Sequence, residues 1–134
     1  MRVTVQIVNA FIDGPSGGNP AGVVLGADAL TPAQKLRIAQ QVGLSETAFV
    51  SASDKATVKL EFFTPVRQIA HCGHATVATF SLLRQRGALG DGRFSKETID
   101  GHRDILIEGD TGFMEQTTPV FNRIDATSGT GARI

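Results

Sequence analysis

The sequence predicts an α+β fold in which a mostly antiparallel sheet curls around one buried central helix. Three observations point there. Apolar residues alternate with period two in several short segments, as half-buried strands require. The stretch from Ala75 to about residue 86 is helical in composition and apolar nearly all the way round, with only small polar residues (Thr76, Thr79, Ser81) between, so it is a helix to be enclosed. One other segment, after Thr31, carries helix signals, and it is amphipathic. A plain two-layer α+β sandwich is the simpler architecture compatible with this order.

The elements follow in sequence. Val3, Val5 and Ile7 point one way, so residues 2–11 read as a strand. Asp13 to Asn19 is dense in turn formers and reads as a loop. A short apolar strand follows from Pro20 to Leu25. Thr31, Pro32 and Gln34 form a helix start with a capping box, Leu36, Ala39 and Val42 share one face, and Gly43 ends the helix. Residues 47–51 and 57–63 read as a hairpin turning near Asp54 and Lys55. Residues 64–73 are a loop. The buried helix covers about 75–86, with Arg84 and Arg86 complementing its dipole and Gly87 ending it. Strands near 93–99 and 103–109 are joined by Asp100-Gly101, and 112–116 reads as a short last strand. Residues 1–120 form one domain in this reading, and 121–134 an irregular tail.

Composition excludes several function classes. The chain has 134 residues, 41% of them hydrophobic, and thirteen basic residues balance thirteen acidic ones. That balance speaks against nucleic-acid binding through a basic patch and against an electrostatic membrane anchor. No apolar run approaches the roughly 18 residues of a membrane span. A single cysteine, Cys72, makes a reducing cytoplasm the default. Cys/His clusters with zinc spacing are absent from the sequence, so no metal site is expected.

Three clusters carry possible chemistry. Gly17-Gly18-Asn19-Pro20-Ala21-Gly22 lets backbone approach a ligand, with Asn19 offering donors and an acceptor, or is an ordinary turn. Glu46, in Leu44-Ser45-Glu46-Thr47-Ala48-Phe49-Val50, sits between a helix end and an apolar strand. Partial desolvation there suits a proton shuttle; the alternative is a solvated carboxylate at a strand edge. Phe63-Thr64-Pro65 and then Cys72-Gly73-His74-Ala75-Thr76 lead into the buried helix. Its unpaired amides suit an anion, Cys72 suits a thiolate base and His74 a proton relay, or the segment is only a cap with a buried thiol. His71 reads as a surface or packing residue, and His102 as a turn residue without signal.

In their order, these segments resemble the successive signatures of the PhzF-like isomerases, continuously from about Val5 to Gly87 and more loosely to Pro119. The resemblance implies a diaminopimelate-epimerase-like fold with two similar domains and a cofactor-independent proton shift in the cleft between them. It makes Glu46 the general acid/base and places His74 in the same pocket. Gly73 and its neighbours Cys72, Ala75 and Thr76 are expected to bind a substrate carboxylate, and Ser45 and Asn19 to position Glu46 or the substrate. In the racemase relatives a cysteine at the position of Cys72 is a base, so Cys72 is the rival to Glu46.

Two departures from the family stand out. Gln68 occupies a loop position where family members commonly carry an acidic residue. The chain is also about half the family length, and the Asp-Pro-x-Thr-Gly-Ser motif of the second half has no counterpart here beyond a faint echo at Ser128–Gly131. A homodimer or a complementary carboxy-terminal half is therefore expected to complete the cleft. The competing readings are a catalytically inactive remnant or split-gene half that binds a small anion or a partner chain, and a plain structural domain.

Overall fold

The computed structural model describes residues 2–13, 16–99, 101–108 and 111–114. Their strands form one sheet in the order β1 (Gln6–Asp13), β2 (Ser16–Val24), β3 (Thr47–Ser51), β4 (Val58–Phe63), β6 (Gly92–Thr98), β7 (Gly101–Glu108), β8 (Thr111–Met114), with the two-residue β5 (Gln68–Ile69) paired to β4. Neighbours are antiparallel except at two joints, β2–β3 and β4–β6. Parallel neighbours need a crossover. Helix α1 (Pro32–Val42) supplies the first and helix α2 (Gly73–Gln85) the second.

The helices lie on opposite faces. Ala21 and Val23 of β2, Ala48 and Val50 of β3, and Leu60 and Phe62 of β4 alternate onto the face that packs against α2. Helix α2 also touches both β1 and β8, the two ends of the strand order, so the sheet curls around it. Ala75, Ala78, Thr79 and Phe80 are buried together with Leu82 and Leu83. The other face carries Val24, Phe49 and Phe63, covered by Ala39, Leu36 and Ile38 of α1. Phe49 and Phe63 meet edge to face at 5.5 Å, a geometry worth about 0.5–1.5 kcal/mol beyond area burial.

Local chemistry explains the boundaries. The Thr31 capping box forms in both directions, and Gly43 takes the left-handed conformation (φ 72°) that ends α1. The hairpin β3–β4 pairs Thr47 with Phe63 and Ser51 with Lys59. Some expectations need correction. The first strand starts at Gln6 rather than residue 2; Val3 and Val5 instead pack beside the α1 cluster. The segment 13–19 is not one loop: β1 and β2 pair as far as Asp13 and Ser16. Backbone pairing with a neighbour overrides the turn propensity of Gly and Ser there. Pro20 is tolerated within β2 because β3 joins only from Gly22 onward. The loop 64–73 contains β5, and α2 begins two residues before Ala75. The tail 121–134 and the domain boundary near residue 120 lie outside the described residues.

Two lysines are buried. Lys35 of α1 donates to Glu61 of β4 at 2.6 Å, with side chains 7% and 13% exposed. This ion pair replaces part of the apolar face expected of α1. Lys96 of β6 has no exposed surface. Among the described residues, no helix is long and apolar enough to cross a membrane.

Gly22 fixes the approach of β2 to β3. A Cβ there would lie 3.0 Å from Thr47 Oγ1 and 3.2 Å from Thr47 Cγ2. Gly22→Ala is therefore expected to destabilise the protein by about 1–3 kcal/mol, read as a lower urea midpoint at unchanged slope.

Candidate active site

Glu46 is held by the two segments around it. Gly43 turns the chain out of α1, and Thr47 begins β3. The Gly22 amide donates to the Glu46 carbonyl at 3.2 Å, tying its backbone to β2. Close approach at Gly22 thus sets the position of the carboxylate as well as the packing of the strands.

The side chain of Glu46 points to the start of α2. Its Oε2 accepts from Ser45 Oγ at 2.6 Å and lies 3.1 Å from His74 Nε2. The Nε2 atom is enclosed, and its approach to Oε2 is off the line a hydrogen bond needs. The contact is therefore one of close approach rather than a hydrogen bond. His74 Nδ1 is 3.3 Å from Cys72 Sγ. The imidazole thus stands between a carboxylate and a thiol, 12% exposed, beside a carboxylate 19% exposed.

Cys72 occupies the N-cap of α2 in extended conformation and makes no capping hydrogen bond. Burial pushes its thiol up from the usual range. The Ala75 amide opposes that, the Glu46 carboxylate adds to it, and the Lys96 ammonium and His74 amide pull it back down. The balance keeps the thiol protonated at neutral pH.

The other expected residues divide. Ser45 reaches Glu46 directly. Gly73 is half-buried in the first turn of α2. Ala75 is buried, with its amide turned toward the sulfur. Thr76 presents nothing outward: its amide and hydroxyl both donate to the Cys72 carbonyl, at 3.1 and 2.8 Å, and the hydroxyl accepts from Lys96. Asn19 is exposed on β2, opposite Ala10, and does not contact Glu46. By strand alternation it faces the same way as Ala21, toward the α2 side. His71 is exposed, and His102 lies exposed on β7 rather than in a turn. Gln68 lies in β5, paired with Phe63.

Lys96 is the neighbour that sequence reasoning missed. Its signal was parity: in β6 it shares a face with Phe94 and Thr98. Donor atoms of Glu46, Cys72 and His74 lie within 4.8 Å of one another, near enough to share a cation. They do not converge, however, because the two nitrogens of His74 face different partners. A cavity of about 470 Å³ lies elsewhere, lined by Arg2, Gln6, Leu25 and Arg86 among others, and includes none of these three residues.

The PhzC-PhzF family model, described as phenazine biosynthesis-like protein, matches residues 8–133. Over 117 residues the chain is 39% identical to the uncharacterized isomerase YfhB of Bacillus subtilis, covering 84% of this chain and 40% of that protein. It is 38% identical over 125 residues to the uncharacterized isomerase YddE of Escherichia coli K12, covering 90% and 42%. The crystal structure of a PhzF-family phenazine biosynthesis protein from Bacillus anthracis superposes with a TM-score of 0.77 at 39% identity, covering 85% of this chain and 40% of that one. A hydroxyproline epimerase from Agrobacterium vitis shares the fold alone, at 12% identity and a TM-score of 0.57. The chain thus spans about 40% of the length of the curated relatives it matches.

Two outcomes follow for the thiol. Removing the nearby negative charge in Glu46→Gln shifts the Cys72 titration to lower pH, read by thiolate absorbance. Because the folded thiol titrates above its unfolded value, its contribution to stability is complete below the ordinary thiol range. It is lost as pH rises through the folded value, so alkaline pH lowers the melting temperature more in wild type than in Cys72→Ala.

Proposed function

The chain belongs to the PhzC-PhzF family of phenazine biosynthesis-like proteins and has its diaminopimelate-epimerase-like fold, and from that premise we propose that it forms one wall of a cofactor-independent isomerase site. Glu46 is the general acid/base of a proton shift on a small carboxylate-bearing substrate. The observation that carries this reading is the convergence of Glu46 Oε2, Ser45 Oγ and His74 Nε2 at the first turn of α2.

The chemistry needs two things. One group must take a proton from carbon and return it to another position of the same molecule. Donors must also stabilise the negative charge that develops between the two steps. Glu46 removes the proton and becomes neutral, and the electron pair moves into the substrate as an enolate-like anion. The Gly73 amide and the positive end of α2 face that charge, and a helix N-terminus also suits the substrate carboxylate. Glu46 then gives the same proton back, so the reaction is balanced without an external acid. His74 stands 3.1 Å from Glu46 Oε2 and limits where the carboxylate can turn. Asn19, on the same side of β2, is assigned to the substrate rather than to Glu46. The protonated, 7% exposed thiol of Cys72 supports Glu46 over the cysteine as base.

The opposite wall of the cleft is assigned to a second copy of the chain or to a complementary carboxy-terminal half. The working compartment in this reading is the cytoplasm. A half-site that binds anions without turnover is the competing reading.

Proton exchange in deuterated water, followed by NMR with amino-acid or cyclohexadienyl carboxylates, tests the assignment. Glu46→Gln is expected to slow exchange by roughly 10²–10⁴-fold, while Cys72→Ala retains it. The reverse pattern moves the base to Cys72. Absence of exchange, at high concentration and with the complementary half added, supports the binding-only reading.

A further inference from the structure

Lys96 is a cation with no surface, set in β6 between the inward-facing Phe94 and Thr98. Burying an ammonium is unfavourable unless hydrogen bonds and charge compensate it, and an apolar chain of similar shape would pack there more easily. Its Nζ lies 5.4 Å from the centre of the Phe62 ring and donates to Thr76 Oγ1 at 2.8 Å. Thr76 Oγ1 in turn donates to the Cys72 carbonyl at 2.8 Å. A hydrogen-bonded chain therefore runs from β6 to the N-cap of α2. The Cys72 side chain makes no capping bond of its own, so this chain holds the first turn through the carbonyl instead.

We propose that Lys96 is a positioning residue of the Glu46–His74–Cys72 site. Through the Thr76 hydroxyl its ammonium fixes the Cys72 carbonyl, and with it the first turn of α2. Its charge adds to the positive potential that this turn presents to an anionic substrate. The proposal rests on the site reading given above. Lys96 acts from behind the helix and does not touch the substrate. The effect of its charge is felt at Cys72, where it favours the thiolate against burial and Glu46.

Cys72 is the chain's one cysteine, so its titration is read directly by thiolate absorbance. The charged or titratable groups that act on the sulfur or contact it are Glu46 before β3, His74 in α2 and Lys96 in β6. Lys96→Met and Thr76→Val are compared with wild type by that titration and by amide hydrogen exchange. Lys96→Met is expected to move the thiol titration to higher pH. It also speeds exchange in the first turn of α2 by about tenfold, while the β3–β4 hairpin exchanges as in wild type. Thr76→Val keeps the cation, so it is expected to show the faster first-turn exchange with a thiol titration close to wild type. A folded Lys96→Met with both readouts unchanged overturns the proposal. Should Lys96→Met fail to fold, unchanged first-turn exchange in Thr76→Val overturns it alone. Neither readout needs turnover, so failure here is distinct from failure of the isomerase reading.

Discussion

The enclosure of α2 is the constraint on which the rest of the structure depends. A helix apolar on nearly every side has no stable place at a surface, so the sheet must reach around it. β1 and β8 both touch it, although they stand at opposite ends of the strand order. The two parallel joints follow from the same demand. α1 crosses on the outer face and α2 on the inner one, and the end of α1 and the start of α2 both lie at the end of the sheet where Thr47 pairs with Phe63. Glu46 lies between α1 and β3, beside the start of α2, and Gly22 holds β2 close to β3 where Glu46 Oε2 comes within 3.1 Å of His74.

That enclosure also sets the electrostatics. Glu46, His74 and Cys72 are drawn out of water by the packing that buries α2. Desolvation penalises the charged thiol, and the neighbouring carboxylate reinforces it, so the sulfur remains a thiol while the carboxylate has Ser45 as a hydrogen-bond donor. The first turn of α2 and Lys96 supply positive potential from the other side. In the proposed reaction this leaves Glu46 as the one proton carrier and the surrounding groups as stabilisers.

Much of this was legible in the sequence because local and tertiary signals agree. The Thr31 capping box, the Thr47–Ser51 strand and the buried helix all follow from residues within a few positions of one another. The pairing of Asp13 with Ser16 was not legible, because turn-forming residues there are overridden by a neighbouring strand. The burial of Lys35 was not legible either, and that of Lys96 was marked only by its parity with Phe94 and Thr98. A lysine reads as exposed unless its partner is known, and Glu61 and Thr76 are 26 and 20 residues away. Thr76 stands in the first turn of α2, as the motif implies, and only the fold shows its hydroxyl turned inward. Ser45 and His74 both stand beside the Glu46 carboxylate, Ser45 as its sequence neighbour and His74 through the approach of α2.

The central claim is that the first turn of α2, with Glu46, is where a small carboxylate binds. Backbone amide shifts on titration with such a carboxylate test it most directly. The account predicts the largest, saturable shifts at Gly73, His74 and Ser45–Glu46. Saturable shifts confined instead to the Arg2–Arg86 cavity, with Gly73 unmoved, would contradict it.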